Sequence, residues 1–439
     1  MRKFLIISMP FDIGIGGYRR SFKVFPRLIR KLSEEFEIEL YIPVNGIRTA
    51  MKFYLDEVIK GDDSIEDPRD AIAEATNIIL DSINKLEKLS GYSFTINEKV
   101  LNKALDVNVT MFLKEICERR FLSSFIRVLS NFRQLFMELF EKKFWNEIRR
   151  YYVDKYSAIY SHHETVDALT TIANFTSLTE KAIILLQLDL GNLIQRTLSM
   201  RILKTILSKV NLTFFAVSPQ PILKSPYLLK LADQVKIKVL RPSVAFDTTL
   251  LKFSKNKKER LSAIYFGRIS KEKGIFDLIK AWKKVTCEEP EAKLTIIGKP
   301  DDNRTLRKFL RILRSIKALN ITYLGYLSPN RLFPEVSRHA VLAYPSYRDS
   351  FSLTVLESLA MGLKVVAYDI PALKYIFSNS SMVFLVRAGD INTFANVLLK
   401  ELLVQKEQKI DEHTIKLLSN YSSWDRVAEK EYNSLKAII

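Results

Sequence analysis

The sequence predicts an α/β protein that contains two doubly wound parallel sheets. Three observations support this fold class. Short apolar runs alternate with amphipathic stretches of helical period along most of the 439 residues. Several of the 13 glycines stand directly after such a run, where a strand would turn toward a helix. The spacing between successive apolar runs suits a helical crossover, which is the connection that parallel strands require.

The second half of the chain shows the alternation most clearly. Gly267, Gly298 and Gly325 each follow a β-branched or apolar run. The predicted strands in this half are 262–266, 293–297, 321–324, 340–344 and 364–368, and the predicted helices are 276–285, 305–319, 329–337 and 352–361. We therefore expect one doubly wound domain over residues 251–420.

The first half predicts a second domain, over residues 1–250. Its apolar runs are 4–7, 38–42, 158–160, 182–188, 212–217 and 235–240. Residues 70–152 have helical periodicity and are predicted to form a helical insertion in this domain. The basic stretch 252–260 lacks apolar periodicity and is predicted to link the two domains.

Bulk composition excludes several classes of protein. Hydrophobic residues make up 47% of the chain and charged residues 27%, which is too apolar for a largely disordered chain. No apolar run approaches the roughly 20 residues of a spanning helix, and the run after Met1 is too short for a signal peptide. Cys117 and Cys287 lie far apart, without a metal-ligand pattern. The sequence therefore predicts a cytoplasmic protein.

Charge is the unusual bulk property. The chain has 68 Lys and Arg against 49 Asp and Glu, a formal net charge of +19. Such an excess indicates an anionic partner: nucleic acid, phospholipid headgroups or a phosphorylated small molecule. Basic stripes interleaved with aromatic residues are not visible, so a nucleic-acid partner is not favoured.

Gly14, Gly16 and Gly17 form a Gly-x-Gly-Gly turn between the first predicted strand and a helix over 18–34. Backbone N–H groups in such a turn can approach a phosphate, and the helix N-terminus favours an anion there. The alternative is a tight turn with positive φ and no ligand. The spacing does not fit the dinucleotide fingerprint, so a nicotinamide enzyme is not predicted.

Two clusters in the second half carry charged residues at the ends of predicted strands. In the first, Gly267 and Arg268 end a strand, and Lys273 and Gly274 follow at the mouth of a helix. In the second, residues 344–362 place Asp349 in a loop and Glu357 about a turn and a half into a helix. Cations suit a diphosphate, and carboxylates accept hydrogen bonds from sugar hydroxyls.

At these residues the chain resembles glycosyltransferase family 4, the group 1 transferases with the GT-B architecture of two Rossmann-like domains that face each other across a cleft. The family pattern G-R-x4-K-G matches residues 267–274, and its E-x7-E element with the following small-residue stretch matches 349–367. Residues 424–429 resemble the family's closing helix, so the resemblance implies that 421–439 crosses back to the first domain.

The resemblance implies a role for each matched residue. Arg268 and Lys273 would bind the donor diphosphate and stabilise it as it leaves. Glu357 would take the ribose hydroxyls and Asp349 the donor sugar. Backbone N–H groups around the helix start would face phosphate or sugar; these substrate-binding positions are Ser350, Phe351, Ser352 and Leu353, together with Gly16 and Gly17.

Two departures from the family pattern bear on the donor sugar. Asp349 replaces the usual Glu, and Ser-Phe-Ser replaces Gly-Phe-Gly at 350–352. Simpler alternatives are a solvated helix-end pair for Arg268 and Lys273, and a plain helix cap for Asp349.

His162 and His163 follow the predicted strand 158–160. By the resemblance, His163 would contact the donor sugar opposite the diphosphate; the alternative is a satisfied structural histidine. Neighbours on a strand point to opposite faces, so the pair does not suit a metal. The chain contains no Asp-x-Asp, so no metal site is predicted and the cations would supply the positive charge.

The sequence thus predicts a retaining glycosyltransferase that moves a hexose from a nucleotide diphosphate sugar to an acceptor hydroxyl, without a cofactor. The alternative is a noncatalytic nucleotide-sugar or glycan-binding protein on the same scaffold.

A lipid-linked acceptor would explain the positive charge through an anionic membrane surface and a peripheral location at its cytoplasmic face. Arg20, Lys23 and Arg27 are the predicted membrane-facing residues, and the basic helix 305–319 is a second candidate. The alternative for both helices is an ordinary solvated face.

Overall fold

The computed structural model describes residues 2–8, 18–43, 46–48, 50–51, 68–118, 142–187, 193–315, 319–404 and 410–439. The chain divides into two compact units. The first comprises Met1–Val217, Pro221–Arg241 and Ala428–Ile439, and the second comprises Ser218–Gln220 and Pro242–Val427. The last helix therefore starts among residues of the second unit and ends among those of the first.

The described part of the first unit contains one parallel sheet of seven strands. The strands are β1 (Arg2–Ile7), β2 (Phe36–Tyr41), β3 (Thr95–Ile96), β4 (Ile159–Ser161), β5 (Lys181–Leu186), β6 (Asn211–Ala216) and β7 (Lys236–Val239). Their order across the sheet is β3-β2-β1-β4-β5-β6-β7. The strand order reverses between β1 and β4, which pair in register from Leu5 with Ile159 to Ile7 with Ser161.

Side-chain alternation explains why this sheet is buried on both faces. Phe4 and Ile6 belong to one hydrophobic cluster, whereas Leu5 and Ile7 belong to a second. Successive side chains of a strand point to opposite faces, so β1 contributes to both clusters. The continuous apolar runs in the sequence are the pattern that such doubly covered parallel strands show.

Helices cover both faces of the first sheet. They are α1 (Tyr18–Leu32), α2 (Pro68–Ser90), α3 (Glu98–Glu118), α4 (Lys142–Arg149), α5 (Val166–Phe175), α6 (Leu193–Leu207), α7 (Gln220–Leu223) and α8 (Pro226–Leu231). The insertion predicted over 70–152 contains α3, α4 and all but the first two residues of α2. It also contains β3, which the periodicity did not indicate; this two-residue strand extends the sheet beside β2.

The second unit contains a six-stranded parallel sheet. Its strands are β8 (Ser262–Phe266), β9 (Lys293–Ile297), β10 (Ile321–Tyr323), β11 (Val341–Tyr344), β12 (Lys364–Tyr368) and β13 (Val383–Val386). Its helices are α9 (Ile275–Glu288), α10 (Asn303–Ser315), α11 (Pro329–Val336), α12 (Leu353–Ala360), α13 (Pro371–Phe377), α14 (Ile391–Leu403), α15 (Glu412–Asn420) and the first turn of α16 (Trp424–Lys436). The order β10-β9-β8-β11-β12-β13 is doubly wound, so the predicted fold class is confirmed.

The stretch 252–260, predicted to be a linker, lies inside the second unit. Thr248–Lys255 forms a 3₁₀ helix, and Leu250 is buried. The Lys258 ammonium donates hydrogen bonds to the carbonyl oxygens of Ser337 and Met361, at 2.9 and 2.6 Å. The lysines of this stretch suggested a solvated linker, but Lys258 forms hydrogen bonds within the second unit. Among the described residues, no helix is long and apolar enough to cross a bilayer.

Candidate functional site

The candidate donor site lies where the strand order of the second sheet reverses. β8 and β11 are neighbours there, with Leu342 beside Ile264. Ligands of open α/β sheets bind outside the carboxyl ends of the strands at such a point. The loop after β8 carries Arg268 and Lys273, and the loop after β11 carries Asp349, so the topology brings the two sequence clusters to one edge.

Lys273 and Asp349 are joined by a partly buried ion pair. The Lys273 ammonium lies 2.8 Å from Asp349 Oδ2, and the exposed fractions of the two side chains are 15% and 19%. The same ammonium donates to the carbonyl oxygen of Arg348 at 3.1 Å and lies 3.3 Å from the Tyr344 hydroxyl. That hydroxyl donates in turn to Asp349 Oδ2. Lys273 is therefore a positioned cation rather than a solvated helix-end residue.

The second oxygen of Asp349 binds the backbone that leads into α12. Oδ1 accepts the N–H of Ser352 at 3.1 Å and that of Phe351 at 3.4 Å. Burial alone would raise the pKa of Asp349, but the Lys273 ammonium and the hydrogen-bond donors outweigh it and hold the pKa below its usual range. The Asp349 carboxylate thus caps the backbone N–H groups before α12 and also pairs with Lys273. Its contact with a donor sugar stays a prediction.

Two close approaches of backbone explain why glycines stand in these loops. Gly274 has φ +71°, and a Cβ there would lie 1.8 Å from the Pro345 carbonyl oxygen. A Cβ on Gly298 would lie 1.8 Å from the Gly267 carbonyl oxygen. Side chains at either position would push the loops after β8, β9 and β11 apart, and Lys273 would lose its place beside Asp349.

Arg268 is held separately from Lys273. Its guanidinium pairs with Asp301 at 3.2 Å, and 65% of its side chain is exposed. Its carbonyl oxygen accepts the Tyr265 hydroxyl at 2.6 Å, which fixes the backbone of the Gly-Arg turn. The structure therefore offers an anchored cation, Lys273, and an exposed one, Arg268, on the same loop.

The start of α12 supplies N–H groups beside this pair. Ser352 precedes the helix with φ +75°, a left-handed conformation that a residue with a side chain rarely adopts. The Ser350 carbonyl oxygen accepts a hydrogen bond from the Ser218 hydroxyl, and Phe351 is buried. Leu353 opens the helix, and Glu357 lies buried in its second turn. Glycine in the family pattern at position 352 matches this φ, so the departure to serine stores strain at the helix start.

The first unit has a polar cluster at the carboxyl end of β4, at its own reversal of strand order. His162, His163 and Glu164 are all buried there. The Gln187 backbone N–H donates to Glu164 Oε2 at 3.1 Å, and its side-chain amide donates to the His162 carbonyl oxygen at 2.8 Å. These contacts fix the turn that carries the two histidines.

The histidines do not diverge as strand neighbours would. β4 ends at Ser161, and the two imidazole rings pack edge to face with centroids 5.4 Å apart. Burial and the nearby Arg20 guanidinium lower the pKa of His163 to about 4, and burial lowers that of His162 well below its usual range. Both rings are therefore neutral at pH 7 and can exchange hydrogen bonds with hydroxyl groups.

Arg20 is buried in this cluster, and its prediction as a membrane-facing residue is wrong. Its guanidinium forms an ion pair with Glu431 of α16, with exposed side-chain fractions of 2% and 0%. The Glu431 carboxylate also accepts the Tyr160 hydroxyl, and Arg20 lies 3.4 Å from His162 Nε2. The spacing of the basic residues in α1 suggested an exposed face. The packing of α16 against α1 could not be anticipated, because nothing in the sequence around Arg20 indicates a contact with so distant a helix.

The other two predicted membrane-facing residues of α1 are half-buried. Arg27 donates to the carbonyl oxygen of Lys23 at 2.7 Å. Further along the helix, Arg30 donates to the carbonyl oxygens of Leu89 and Ser90 in α2. Gly16 and Gly17, the predicted phosphate turn, lie outside the described residues. Within the described part of the chain, no group of three or more His, Cys, Asp and Glu side chains could hold a metal ion.

The sequence did not single out Tyr344, Gln187 or Glu431 as site residues. Tyr344 is the last residue of a predicted strand, and Asp349 lies in the loop that follows, so a contact between the two side chains could have been anticipated. Gln187 stands at the carboxyl end of a neighbouring predicted strand. Glu431 lies 411 positions from Arg20, and no local pattern predicts that contact.

Comparisons with known proteins show what the chain is similar to. Residues 247–416 match the family model of group 1 glycosyl transferases. An uncharacterised glycosyltransferase of Methanocaldococcus jannaschii is 29% identical over 112 residues, which cover 26% of this chain and 27% of that protein. The poly(glycerol-phosphate) alpha-glucosyltransferase of Bacillus subtilis is 24% identical over 168 residues, 37% of this chain and 24% of that protein. The chain thus spans less than half the length of these curated relatives.

The solved structure of Anabaena HepE in complex with UDP and glucose covers 100% of both chains, with a TM-score of 0.60 and 13% sequence identity. At this identity the likeness concerns the fold, which is that of GT-B glycosyltransferases: two parallel-sheet α/β domains.

Proposed function

We propose that this chain is a glycosyltransferase that moves a hexose from a nucleotide diphosphate sugar to an acceptor hydroxyl with retention of anomeric configuration. The second unit would bind the donor and the first unit the acceptor. The match to group 1 glycosyl transferases covers the donor half. For HepE, which shares the fold, a complex with UDP and glucose is known. No cofactor or metal has a role in this proposal.

One observation carries the proposal. Lys273, a cation fixed by Asp349, Tyr344 and a carbonyl oxygen, stands at the reversal of strand order beside the start of α12. A positioned cation next to helix N–H groups suits the charge that develops on a departing diphosphate. Because its partners hold Lys273 in place before a ligand arrives, little reorganisation is needed during the reaction.

The chemical step follows from these charges. The bond between the anomeric carbon and the diphosphate oxygen breaks, and its electron pair goes to the diphosphate, whose charge Lys273 and Arg268 stabilise. The acceptor oxygen bonds to the same carbon from the same face. Its proton passes to the departing phosphate oxygen. The products are a glycoside of retained configuration and a nucleoside diphosphate.

The remaining residues hold the donor in this proposal. Glu357 accepts the ribose hydroxyls and Asp349 meets the donor sugar. The segment 350–353 contacts phosphate or sugar as well, although Asp349 caps its Phe351 and Ser352 N–H groups. His163, neutral at pH 7, would contact the donor sugar. Gly16 and Gly17 provide further N–H groups for substrate.

The proposed acceptor is a lipid-linked glycan or a lipid, met at the cytoplasmic face of a membrane. The support is the net charge of +19. A protein that acts on such an acceptor must reach the lipid surface, and cationic residues lower the free energy of that contact.

A noncatalytic nucleotide-sugar or glycan-binding protein is the second candidate. The altered loop 349–352 favours it, since Asp349 is engaged by Lys273 and by backbone. Such a protein would bind nucleotide sugars without breaking them down.

A screen of nucleotide sugars tests both candidates. A ligand at 100 times its Kd stabilises the folded protein by about 2.7 kcal/mol, which thermal unfolding detects. The stabilising donor is then incubated with the protein, and the released nucleoside diphosphate is measured. Release supports the transferase, and stabilisation without release supports the binding protein. If no nucleotide sugar shifts the unfolding temperature, the donor site is misplaced.

A variant pair tests the role of Lys273. Lys273→Met should slow nucleotide release by on the order of 100-fold, because a transition-state charge loses its partner. The matched control is Lys280→Met on α9; the Lys280 side chain is 67% exposed, and its ammonium lies 3.9 Å from Asp277. Circular dichroism checks that both variants are folded. Equal rates in the two variants would contradict the assignment.

A further inference from the structure

Helix α10 presents a basic face to solvent. The helix contains five cationic residues and no acidic ones, and all five cations are exposed: Arg304, Arg307, Lys308, Arg311 and Arg314. At 3.6 residues per turn they fall within an arc of roughly 120°. We call this set the basic face of α10.

The opposite side of α10 is packed on its own unit. Phe309 is fully buried, and its ring lies edge to face with that of Tyr323 in β10, with centroids 5.1 Å apart. Lys308 lies over the Phe276 ring of α9 at 4.4 Å. Because α10 is anchored in this way, its cations are held on a fixed surface.

The carboxylates next to the helix do not neutralise this surface. Asp301 pairs with Arg268, and Asp302 accepts the Thr305 N–H at 2.6 Å as a helix cap. Both stand before the first turn. From Arg307 to Arg314 the exposed face is cationic throughout.

Exposed apolar side chains lie in the loop after β10, which contacts the segment that leads into α10. Leu324 and Tyr326 are 39% and 54% exposed in the loop after β10. The Gly298 N–H donates to the Gly325 carbonyl oxygen at 2.7 Å, and the Lys299 ammonium lies 5.0 Å from the centre of the Tyr326 ring. This loop therefore lies against the segment that leads into α10.

We infer that the basic face of α10, together with Leu324 and Tyr326, docks this protein on a membrane surface that contains anionic lipid headgroups. The cations suit the phosphates of the headgroups, and an exposed leucine and tyrosine suit the boundary between headgroups and acyl chains. A nucleic-acid surface would be expected to stack bases on several aromatic rings, and the aromatic residue of α10, Phe309, is buried. This inference rests on the proposed function, for which it names the surface that meets a lipid-linked acceptor.

The structure also places this surface differently from the sequence pattern. On α1, Arg20 is buried against Glu431, and Arg30 is bound to backbone carbonyls of α2. Both cations are therefore engaged in contacts within the first unit. The cations of α10 are exposed side chains on a packed helix, so they can reach a partner without any rearrangement.

The test is flotation with phosphatidylcholine vesicles, with and without phosphatidylglycerol, and without any sugar donor. The wild type should float with the anionic vesicles and not with the neutral ones, and added salt should weaken binding. Each cation at an anionic surface raises affinity roughly fivefold, so Arg304→Glu/Arg307→Glu/Arg311→Glu should lower it by about 100-fold or more. Leu324→Ser/Tyr326→Ser should weaken binding at every salt concentration.

The matched control removes the same charge elsewhere. Lys224, Lys230 and Lys236 are exposed residues of the first unit, and their change to Glu should leave most of the binding intact. If both triple variants lose binding equally, bulk charge rather than the basic face of α10 is responsible. The inference is overturned if the wild-type protein does not bind anionic vesicles at low salt. It is also overturned if the wild-type protein binds duplex or single-stranded DNA more tightly than it binds the vesicles.

Failure of this inference is distinguishable from failure of the proposed function. Flotation needs no transfer, and nucleotide release needs no vesicle. The α10 triple variant should release nucleoside diphosphate from a nucleotide sugar at the wild-type rate. Flotation of the wild type without nucleotide release would support the membrane surface on α10 and contradict the proposed transferase activity.

Discussion

The ion pair between Arg20 and Glu431 gives a quantitative test of how the end of the chain is held in the first unit. Both side chains are essentially inaccessible to solvent. Glu431→Gln keeps the size of the side chain and an acceptor for the Tyr160 hydroxyl but removes the charge. The buried Arg20 guanidinium then lacks its carboxylate, and removal of one partner from a buried pair costs about 3 to 5 kcal/mol.

In a unit of this size, each kcal/mol lowers Tm by about 2 to 4 °C, so Glu431→Gln should lower the Tm of the first unit by roughly 6 to 20 °C. Differential scanning calorimetry of the full chain measures this. The control is Glu429→Gln, which breaks the partly exposed pair of Glu429 with Lys31 between the same two helices. Exposed pairs contribute about 0 to 1 kcal/mol, so the control should move Tm by no more than about 4 °C.

A second change separates the loss of charge pairing from loss of packing. Arg20→Met/Glu431→Gln also removes the buried cation, so the double variant should be more stable than Glu431→Gln alone, since an apolar replacement of a buried pair is often tolerated. If Glu431→Gln is no more damaging than Glu429→Gln, or if the double variant is the less stable, the argument from desolvation fails.

Four further predictions concern the candidate donor site and the polar cluster of the first unit. Between pH 6.5 and about 4 the unfolded chain binds more protons at His163 than the folded one, so the free energy of unfolding should fall as pH drops through this window, by up to roughly 3 kcal/mol. Chemical denaturation at a series of pH values measures this free energy, and in His163→Gln it should depend less steeply on pH. His163→Ala should lose more nucleotide release than His162→Ala, and equal losses would undo the assignment of His163 to the sugar. Ser352→Gly should raise the free energy of unfolding by roughly 0.5 to 1 kcal/mol by relief of the left-handed φ, whereas the control Ser350→Gly should lower it. Glu357→Ala should weaken donor binding more than it slows turnover at saturating donor, which titration of the donor measures.

The sequence predicted those parts of the fold and site that depend on local pattern. Apolar runs with glycine at their ends identified β8, β9 and β10. The family resemblance also implied that Lys273 and Asp349 belong to one donor site, although they are 76 positions apart in the sequence. Their direct pairing is a detail that spacing could not give, because it depends on how the loops after β8 and β11 close on each other at Gly274.

Contacts between distant segments were the part that could not be predicted. Arg20 has the spacing of a solvated basic helix face, and only the return of α16 to the first unit makes it a buried residue. Lys258 looked like part of a solvated linker for the same reason: its carbonyl partners lie 79 and 103 positions away. In both cases a cation became internal because a remote segment supplied the oxygen atoms that compensate its burial.

The pairing of site cations also indicates where the charge excess of the protein lies. Lys273 is balanced by Asp349, Arg268 by Asp301 and Arg20 by Glu431. These three cations therefore contribute nothing to the net charge of +19, because each stands opposite one carboxylate. The cations of the candidate donor site are thus already balanced, so that site does not account for the positive excess of the protein. Part of the excess lies on α10, which has five exposed cations and no carboxylate between Asn303 and Ser315. An excess of this kind adds long-range attraction to a negatively charged surface, which is a property that the chemistry of sugar transfer alone does not need.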